Sequence, residues 1–257
     1  MDSIDEQLTV DMTERWRYPR FFVEKESVGL SPVHLTLNTD DMNHAKKVLR
    51  IKRGEKVIIC DGSCTDYLCE YIDNDKFGLI KAIQNNAEAS VYLRLFQCLP
   101  KSDKMDFIVQ KAVELGASEV VPIISSRCVS RPDSKSAAVK LKRWNKIAYE
   151  AAKQCGRGKI PSVGEILPFA QAIDVLNKQA LNIIFYECGG VGINDAISNK
   201  FNTINVFIGS EGGFTEDEIK FAEKHRVTPA TLGKRILRVD TACVAAISVI
   251  MNITGNI

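Results

Sequence analysis

Phe207-Ile208-Gly209-Ser210-Glu211-Gly212-Gly213-Phe214, entered from Ile204-Asn205-Val206 and left through Thr215-Glu216-Asp217-Glu218, is the stretch on which the reading of this chain turns. Ile204 to Ile208 is nearly all β-branched or aromatic, the composition of a strand buried on both faces. Thr215 with Glu218 three residues on forms a capping box. Glu216 and Asp217 complement the positive end of the helix it opens, and Lys224 and His225 suit the negative end. Gly209, Gly212 and Gly213 therefore occupy a strand-to-helix turn, where missing Cβ atoms permit positive φ and let a ligand come close to the backbone. A plain structural turn is the alternative.

A second loop has the same character. Leu232-Gly233-Lys234-Arg235-Ile236-Leu237-Arg238-Val239-Asp240-Thr241-Ala242 carries three cations, then gives way to seventeen residues, Thr241 to Ile257, without a charged side chain. That run is shorter than the roughly 20 apolar residues of a membrane span and is interrupted by Ser248, Asn252, Thr254 and Asn256. It reads as a buried helix, capped by Asp240 or Thr241 and running to about Met251, packed in the core or against another subunit. Neither loop has the G-x-G-x-x-G spacing of a dinucleotide site, and the chain contains no G-x-x-x-x-G-K-[ST] phosphate loop. Glu211 would repel a phosphate, so the pair of loops suits a cationic or neutral ligand.

Outward from these loops the hydrophobic period divides the chain. Short strands are expected at Phe21 to Val23, Lys56 to Cys60, Tyr67 to Ile72 and Leu79 to Ile83, with turns at Asp61-Gly62 and Asp73-Asn74, the pattern of a small β-barrel. Gln84-Asn85-Asn86 reads as a linker. Beyond it strands and helices alternate. Met105, Ile108, Val109, Ala112 and Val113 line one helix that stops at Gly116; Leu141, Trp144, Ile147, Ala148, Ala151, Ala152 and Cys155 line another that stops at Gly156. Strands at Val91 to Leu99, Val120 to Ile124, Leu181 to Tyr186, Ile204 to Ile208 and Ala230 to Leu232 make a mainly parallel sheet. The expected division is an acidic flexible extension over residues 1–14, a barrel over 15–86 and an α/β domain over 87–257.

Composition sets limits. The 257 residues are 45% hydrophobic with a net charge of only +2, so a nucleic-acid surface must come from local clusters of cations. Lys46, Lys47, Arg50, Lys52 and Arg53 form one. Lys140, Lys142, Arg143, Lys146, Lys153, Arg157 and Lys159 form another, for which a solvated helix face is the plain alternative. The eight cysteines contain no C-x-x-C pair and three histidines are scattered, which argues for reduced packing thiols and no metal. The acidic N-terminus is unlike a secretory leader, and no membrane segment is evident, so the expected compartment is the cytoplasm.

I-G-S-E-G-G-F-T at Ile208 to Thr215 and L-G-K-R-I-L-R-V-D-T-A at Leu232 to Ala242 resemble the signature of the 16S ribosomal RNA uridine-N3 methyltransferases of the SPOUT superfamily. Arg20-Phe21-Phe22-Val23, His44 to Arg50, Asp61-Gly62, Gln110 to Gly116, Arg143-Trp144 and Glu150 to Gln154 fall in that family's order, so the resemblance runs from about Arg17 to the C-terminus. Two departures are mild. Ser210 stands where the family has proline, and Asp240 where it has glutamate.

The resemblance implies a SPOUT-type trefoil-knotted α/β methyltransferase domain, mainly parallel in its sheet, behind a PUA-like RNA-binding β-barrel. It implies S-adenosylmethionine as cofactor, 16S rRNA within the 30S subunit as partner and a homodimer. Ile208, Gly209, Glu211, Gly212, Gly213, Leu232, Gly233, Ile236, Leu237 and Arg238 are the expected cofactor contacts, and Arg238 and Glu211 the candidate catalytic groups. Arg238 would neutralise charge on the uracil oxygens as N3 loses its proton. The proton acceptor is left open between Glu211 and water, Glu211 being equally suited to orient the cofactor. Arg20, Lys46, Arg50, Arg53, Arg127, Arg131 and Arg157 are the candidate RNA contacts. A SPOUT enzyme acting on another RNA and a non-catalytic ribosome-assembly protein are the remaining alternatives.

Overall fold

A computed structural model describes residues 17–23, 34–197 and 200–257; the extension expected over residues 1–14 lies outside them. The chain divides into two compact units. One holds residues 1–88 and Lys153–Ile160, the other Ala89–Ala152 and Pro161–Ile257. Along the chain the first boundary falls between Glu88 and Ala89, and the short segment Lys153–Ile160 groups with the N-terminal unit.

The first unit is built on β1 (Arg20–Phe22), β2 (His34–Thr36), β3 (Lys56–Cys60), β4 (Thr65–Asp73) and β5 (Lys76–Gln84), paired in the order β1-β3-β4-β5-β2. Register shifts at Leu68/Cys69 and Tyr71/Asp73 bend the long β4–β5 hairpin as bulges do. Phe21, Leu35, Met42, Ala45, Val57, Ile59, Cys69 and Phe77 form one core cluster of this unit, and Ile58, Leu68 and Ile83 form a second. Between β2 and β3 lie a short helix, α1 (Thr39–Asn43), and a π-helical turn, His44–Val48. Their polar composition hides them from a periodicity argument, since Met42 and Ala45 are the apolar residues they bury. The Asn38 side chain starts α1 by accepting from the Asp41 amide at 2.8 Å, an N-cap.

The second unit carries β6 (Tyr92–Cys98), α2 (Lys104–Glu114), β7 (Glu119–Ile124), α3 (Ser134–Gln154), β8 (Ser162–Val163), β9 (Leu167–Pro168), α4 (Phe169–Asp174), β10 (Leu181–Phe185), β11 (Val191–Gly192), α5 (Ile193–Ala196), β12 (Thr203–Ile208), α6 (Glu216–Lys224), β13 (Thr228–Thr231) and α7 (Val239–Ile253). The sheet order is β11-β13-β10-β12-β6-β7-β8, with β9 beside β7, and its pairings are parallel. Phe207 of β12 stacks on Phe96 of β6, centroids 4.4 Å apart, an offset aromatic pair at the centre of the sheet. The expected apolar face of α2 is buried, and Gly116 ends it at φ +99°. α3 starts two turns earlier than its apolar stripe: Asp133 caps it by accepting from the Ser136 amide at 2.7 Å, and its first turns are small and charged.

Candidate active site

β13, β10 and β12 are adjacent and parallel, so the loops leaving their C-terminal ends open on the same edge of the sheet. Those loops, with Lys104, Val239 and Ala242, line a cavity of about 600 Å³, within the size range of small-molecule sites. Ile208 to Gly213 and Leu232 to Arg238 are all in its wall, which brings together every residue expected to touch a cofactor.

The glycine loop is tightly held. The Gly213 amide donates to the Ser210 carbonyl at 2.9 Å, and Gly213 takes φ +63°, a conformation in which side chains are strained. Arg127 donates to the Gly212 carbonyl at 2.8 Å. The buried Gln97 amide donates to the carbonyls of Cys98 at 2.9 Å and Gly209 at 3.3 Å. Thr215 and Glu218 form the expected capping box, the Thr215 amide donating to the Glu218 carboxylate at 2.9 Å; Glu218 also accepts from the Ser126 amide at 2.8 Å. In the second loop the Gly233 amide donates to Thr231 Oγ1 at 3.2 Å, and Gly233, at φ +104°, faces open space where a Cβ would stand.

Glu211 lines the cavity but is already engaged. Its carboxylate accepts from the Lys101 amide at 3.2 Å and from Lys104 Nζ at 3.1 Å. Burial pushes its proton affinity up, yet its own amide, the Lys104 ammonium and the Lys101 amide outweigh that and hold the carboxyl below its ordinary range. A carboxylate stabilised in this way is a poor proton acceptor.

Arg238 is exposed, and among the described residues nothing pairs with its guanidinium. It sits at the N-cap of α7 in extended conformation, with no side-chain capping bond. The helix thus begins before the two residues expected to cap it: Asp240 and Thr241 lie inside its first turn, where Asp240 is placed to favour the positive helix end. Ile236, 86% exposed, projects from the same loop.

Residues at and just after the end of β10 escaped the sequence reading as site residues. Phe185, Tyr186 and Glu187 line the cavity, and the signal that marks them, a strand running into Gly189-Gly190, resembles that of the first glycine loop in weaker form.

The candidate RNA contacts separate by burial. Arg20 forms two hydrogen bonds to Asp66 at 2.6 and 2.8 Å and donates to the Arg157 carbonyl at 2.8 Å; the side chains of Arg20 and Asp66 are 7% and 0% exposed. Arg157 is buried and pairs with Glu88 at 2.5 Å. Asn85 donates to Asp66 at 3.2 Å and to the Gly156 carbonyl at 3.1 Å. Arg20 and Arg157 are therefore members of an interior ion network, which corrects their assignment as RNA contacts: sequence shows their charge but not the carboxylates folded against it. Arg127 and Arg131 brace backbone carbonyls, Arg131 those of Ser125 and Ser126 at 3.1 and 3.2 Å, although both remain exposed. Lys46 pairs with Asp75. Arg50 and Arg53 are exposed, and no described residue pairs with either.

Burial pushes the Cys60, Cys69 and Cys243 thiols up to about 12. Among the described residues no group of His, Cys, Asp and Glu could hold a metal ion, and no helix is long and apolar enough to cross a membrane.

The chain matches the RNA methyltransferase domain family over residues 87–251 and the RNA methyltransferase PUA domain family over residues 37–83. It is similar to ribosomal RNA small subunit methyltransferase E of Bacillus subtilis (strain 168), with 31% identity over 244 residues covering 90% of this chain and 95% of that protein. With the protein of the same name from Mesomycoplasma hyopneumoniae (strain 232) identity is 36% over 227 residues, 88% of this chain and 95% of the relative. Its structure is similar to the crystal structure of ribosomal RNA small subunit methyltransferase E from Neisseria gonorrhoeae bound to S-adenosyl methionine, with a TM-score of 0.82, 30% identity and coverage of 91% and 97% of the two chains.

Proposed function

The chain belongs to the RNA methyltransferase family to which ribosomal RNA small subunit methyltransferase E belongs, and from that premise we propose that it methylates N3 of a uridine in 16S rRNA with S-adenosylmethionine. Its fold is of the SPOUT type, an α/β domain on a parallel sheet that follows a PUA-like domain in the sequence. The observation that carries the reading is the convergence of the loops after β10, β12 and β13 on one cavity.

The cavity suits the cofactor. Gly233 leaves its approach open and Gly209 allows close packing of the loop, where a Cβ would come within 3.0 Å of Gly213. Ser210 lies in the wall with its Oγ buried. Carboxylates in the wall match a sulfonium cation. Bound S-adenosylmethionine supplies the methyl group.

Ile208-Gly209 and Leu232-Gly233 hold the adenine and methionine parts through backbone groups, with Ile236 and Leu237 adding apolar cover; Gly212 and Gly213 shape the turn beneath them. The unpaired Arg238 takes up charge that develops on the uracil oxygens as N3 loses its proton. Glu211, fixed to Lys101 and Lys104, positions the loop, and the proton passes to water. N3 lies on the Watson–Crick edge, so the target base must be unpaired or flipped. Exposed Arg50 and Arg53 meet the RNA backbone from the first unit. The protein works in the cytoplasm on the 30S particle as a homodimer, the partly exposed apolar residues Val244, Ala245 and Val249 of α7 forming the contact; a monomer by light scattering would remove that part.

Incubating the protein with labelled S-adenosylmethionine and 30S subunits that lack the modification, then digesting the RNA, tests the reading. Recovery of 3-methyluridine from the decoding region is expected. Label in another nucleoside would overturn the target, and no label despite measurable cofactor binding would overturn the substrate.

A further inference from the structure

The cavity wall contains two glutamates, and they differ in what already holds them. Glu211 is neutralised by Lys104 and the Lys101 amide. For Glu187 no hydrogen bond or ion pair exists among the described residues, although Lys104, Lys234, Arg235 and Arg238 share the same wall.

The placement of Glu187 is fixed by backbone. β10 lies between β13 and β12 in the sheet, and the Tyr186 amide donates to the Ala230 carbonyl at 3.0 Å, prolonging the β10–β13 ladder to the residue before Glu187. The side chain thus leaves the middle strand of the three that build the site. Its carboxylate lies against the Cα of Gly213, where any Cβ would collide with it. Gly213 takes a positive φ and leaves room for this acid, which a Cβ there would push aside. Glu187 is exposed in the cavity wall beside loop cations that do not pair with it, and such an uncommitted anion needs a positive partner once a bound ligand excludes water from it.

We propose that Glu187 is the counter-ion for a positive charge of the bound cofactor. The inference rests on S-adenosylmethionine being the ligand, which carries two such charges, the sulfonium and the α-ammonium of its methionine part. A carboxylate holds the ammonium by charge-assisted hydrogen bonds and the sulfonium by charge alone.

Calorimetric titration of the full chain and of Glu187→Gln with S-adenosylmethionine, S-adenosylhomocysteine and methylthioadenosine separates the possibilities, because these carry both charges, the ammonium alone, and neither. Glu187→Gln keeps the size of the side chain and should weaken S-adenosylmethionine binding by about tenfold to a hundredfold, while leaving methylthioadenosine unchanged. A parallel loss with S-adenosylhomocysteine assigns the ammonium; no loss with it assigns the sulfonium. Unchanged affinity for S-adenosylmethionine, or an equal loss for all three ligands, overturns the inference while the cofactor reading stands. If the unaltered protein fails to bind S-adenosylmethionine, the cofactor reading itself falls, and the inference with it.

Discussion

Arg20 and Arg238 are the same residue type in opposite circumstances. Arg20 lies in the first unit with both arms on a fully buried Asp66 and a third bond to the Arg157 carbonyl; Arg238 lies in the second, exposed, unpaired among the described residues and in the wall of a cavity. In the first region charge has been spent on interior order. In the second it is left over. A cation serves an RNA or a transition state only if the fold has not already satisfied it, and that depends on what is packed against it, which sequence proximity does not show.

The largest effect should come from breaking the satisfied side. Asp66→Ala leaves the Arg20 guanidinium buried without its partner and should destabilise the protein by about 3–5 kcal/mol, read as a shift of the urea midpoint. A loss below about 1 kcal/mol would mean that water reaches Arg20 and that the two regions differ less than their burial suggests. Arg238→Ala is the opposite experiment. Stability should stay within about 0.5 kcal/mol of the unaltered protein, while turnover falls about 10²- to 10³-fold with little change in cofactor affinity. Full turnover would strip Arg238 of its role.

What the sequence made legible follows the same line. Elements whose evidence is local were readable: the β-branched run of β12, the capping box at Thr215 and Glu218, the apolar face of α2. Both glycine loops were readable because strand, turn and helix are contiguous there. The contribution of β10 was not, since its local mark, a strand running into Gly189-Gly190, is weak and Glu187 joins the site through the order β13-β10-β12, a long-range pairing. Arg157 was misread for the same physical reason: Glu88, 69 residues away, holds it. The start of α7 was misplaced because Asp240 is a good capping residue by type, whereas the backbone turns extended at Arg238.

Gly213→Ala sharpens the comparison within the site. The added methyl must adopt φ +63° and displace the Glu187 carboxylate, so a stability cost of about 1–3 kcal/mol is expected, accompanied by weaker S-adenosylmethionine binding by calorimetry. Retained affinity would show that the loop and Glu187 move apart freely. A smaller effect is expected at the exposed cations of the first unit. Charge reversal of Arg50 and Arg53 should weaken RNA binding and flatten its dependence on salt, by about one unit of log–log slope for each phosphate no longer neutralised. The same reversal with an unchanged slope would make them solvated surface and leave the first unit without an identified RNA-binding residue.

Glu211 falls between the two extremes, paired like Asp66 but with its side chain 27% exposed, and its effect should be the smallest. Its carboxyl is held below the ordinary value of 4.5 in the folded chain. The unfolded chain therefore takes up the proton first as pH falls, and the stability that Glu211 contributes is present in full above the unfolded value and disappears as pH drops through the folded one. Solvent screening limits that contribution to under about 1 kcal/mol. Thermal unfolding of the unaltered protein and of Glu211→Gln between about pH 3 and 7 should show a small deficit for the variant at neutral pH that closes toward the acid end. A deficit that widens in acid would give Glu211 a raised carboxyl and restore it as a proton acceptor, and with it the symmetry between the two glutamates of the cavity.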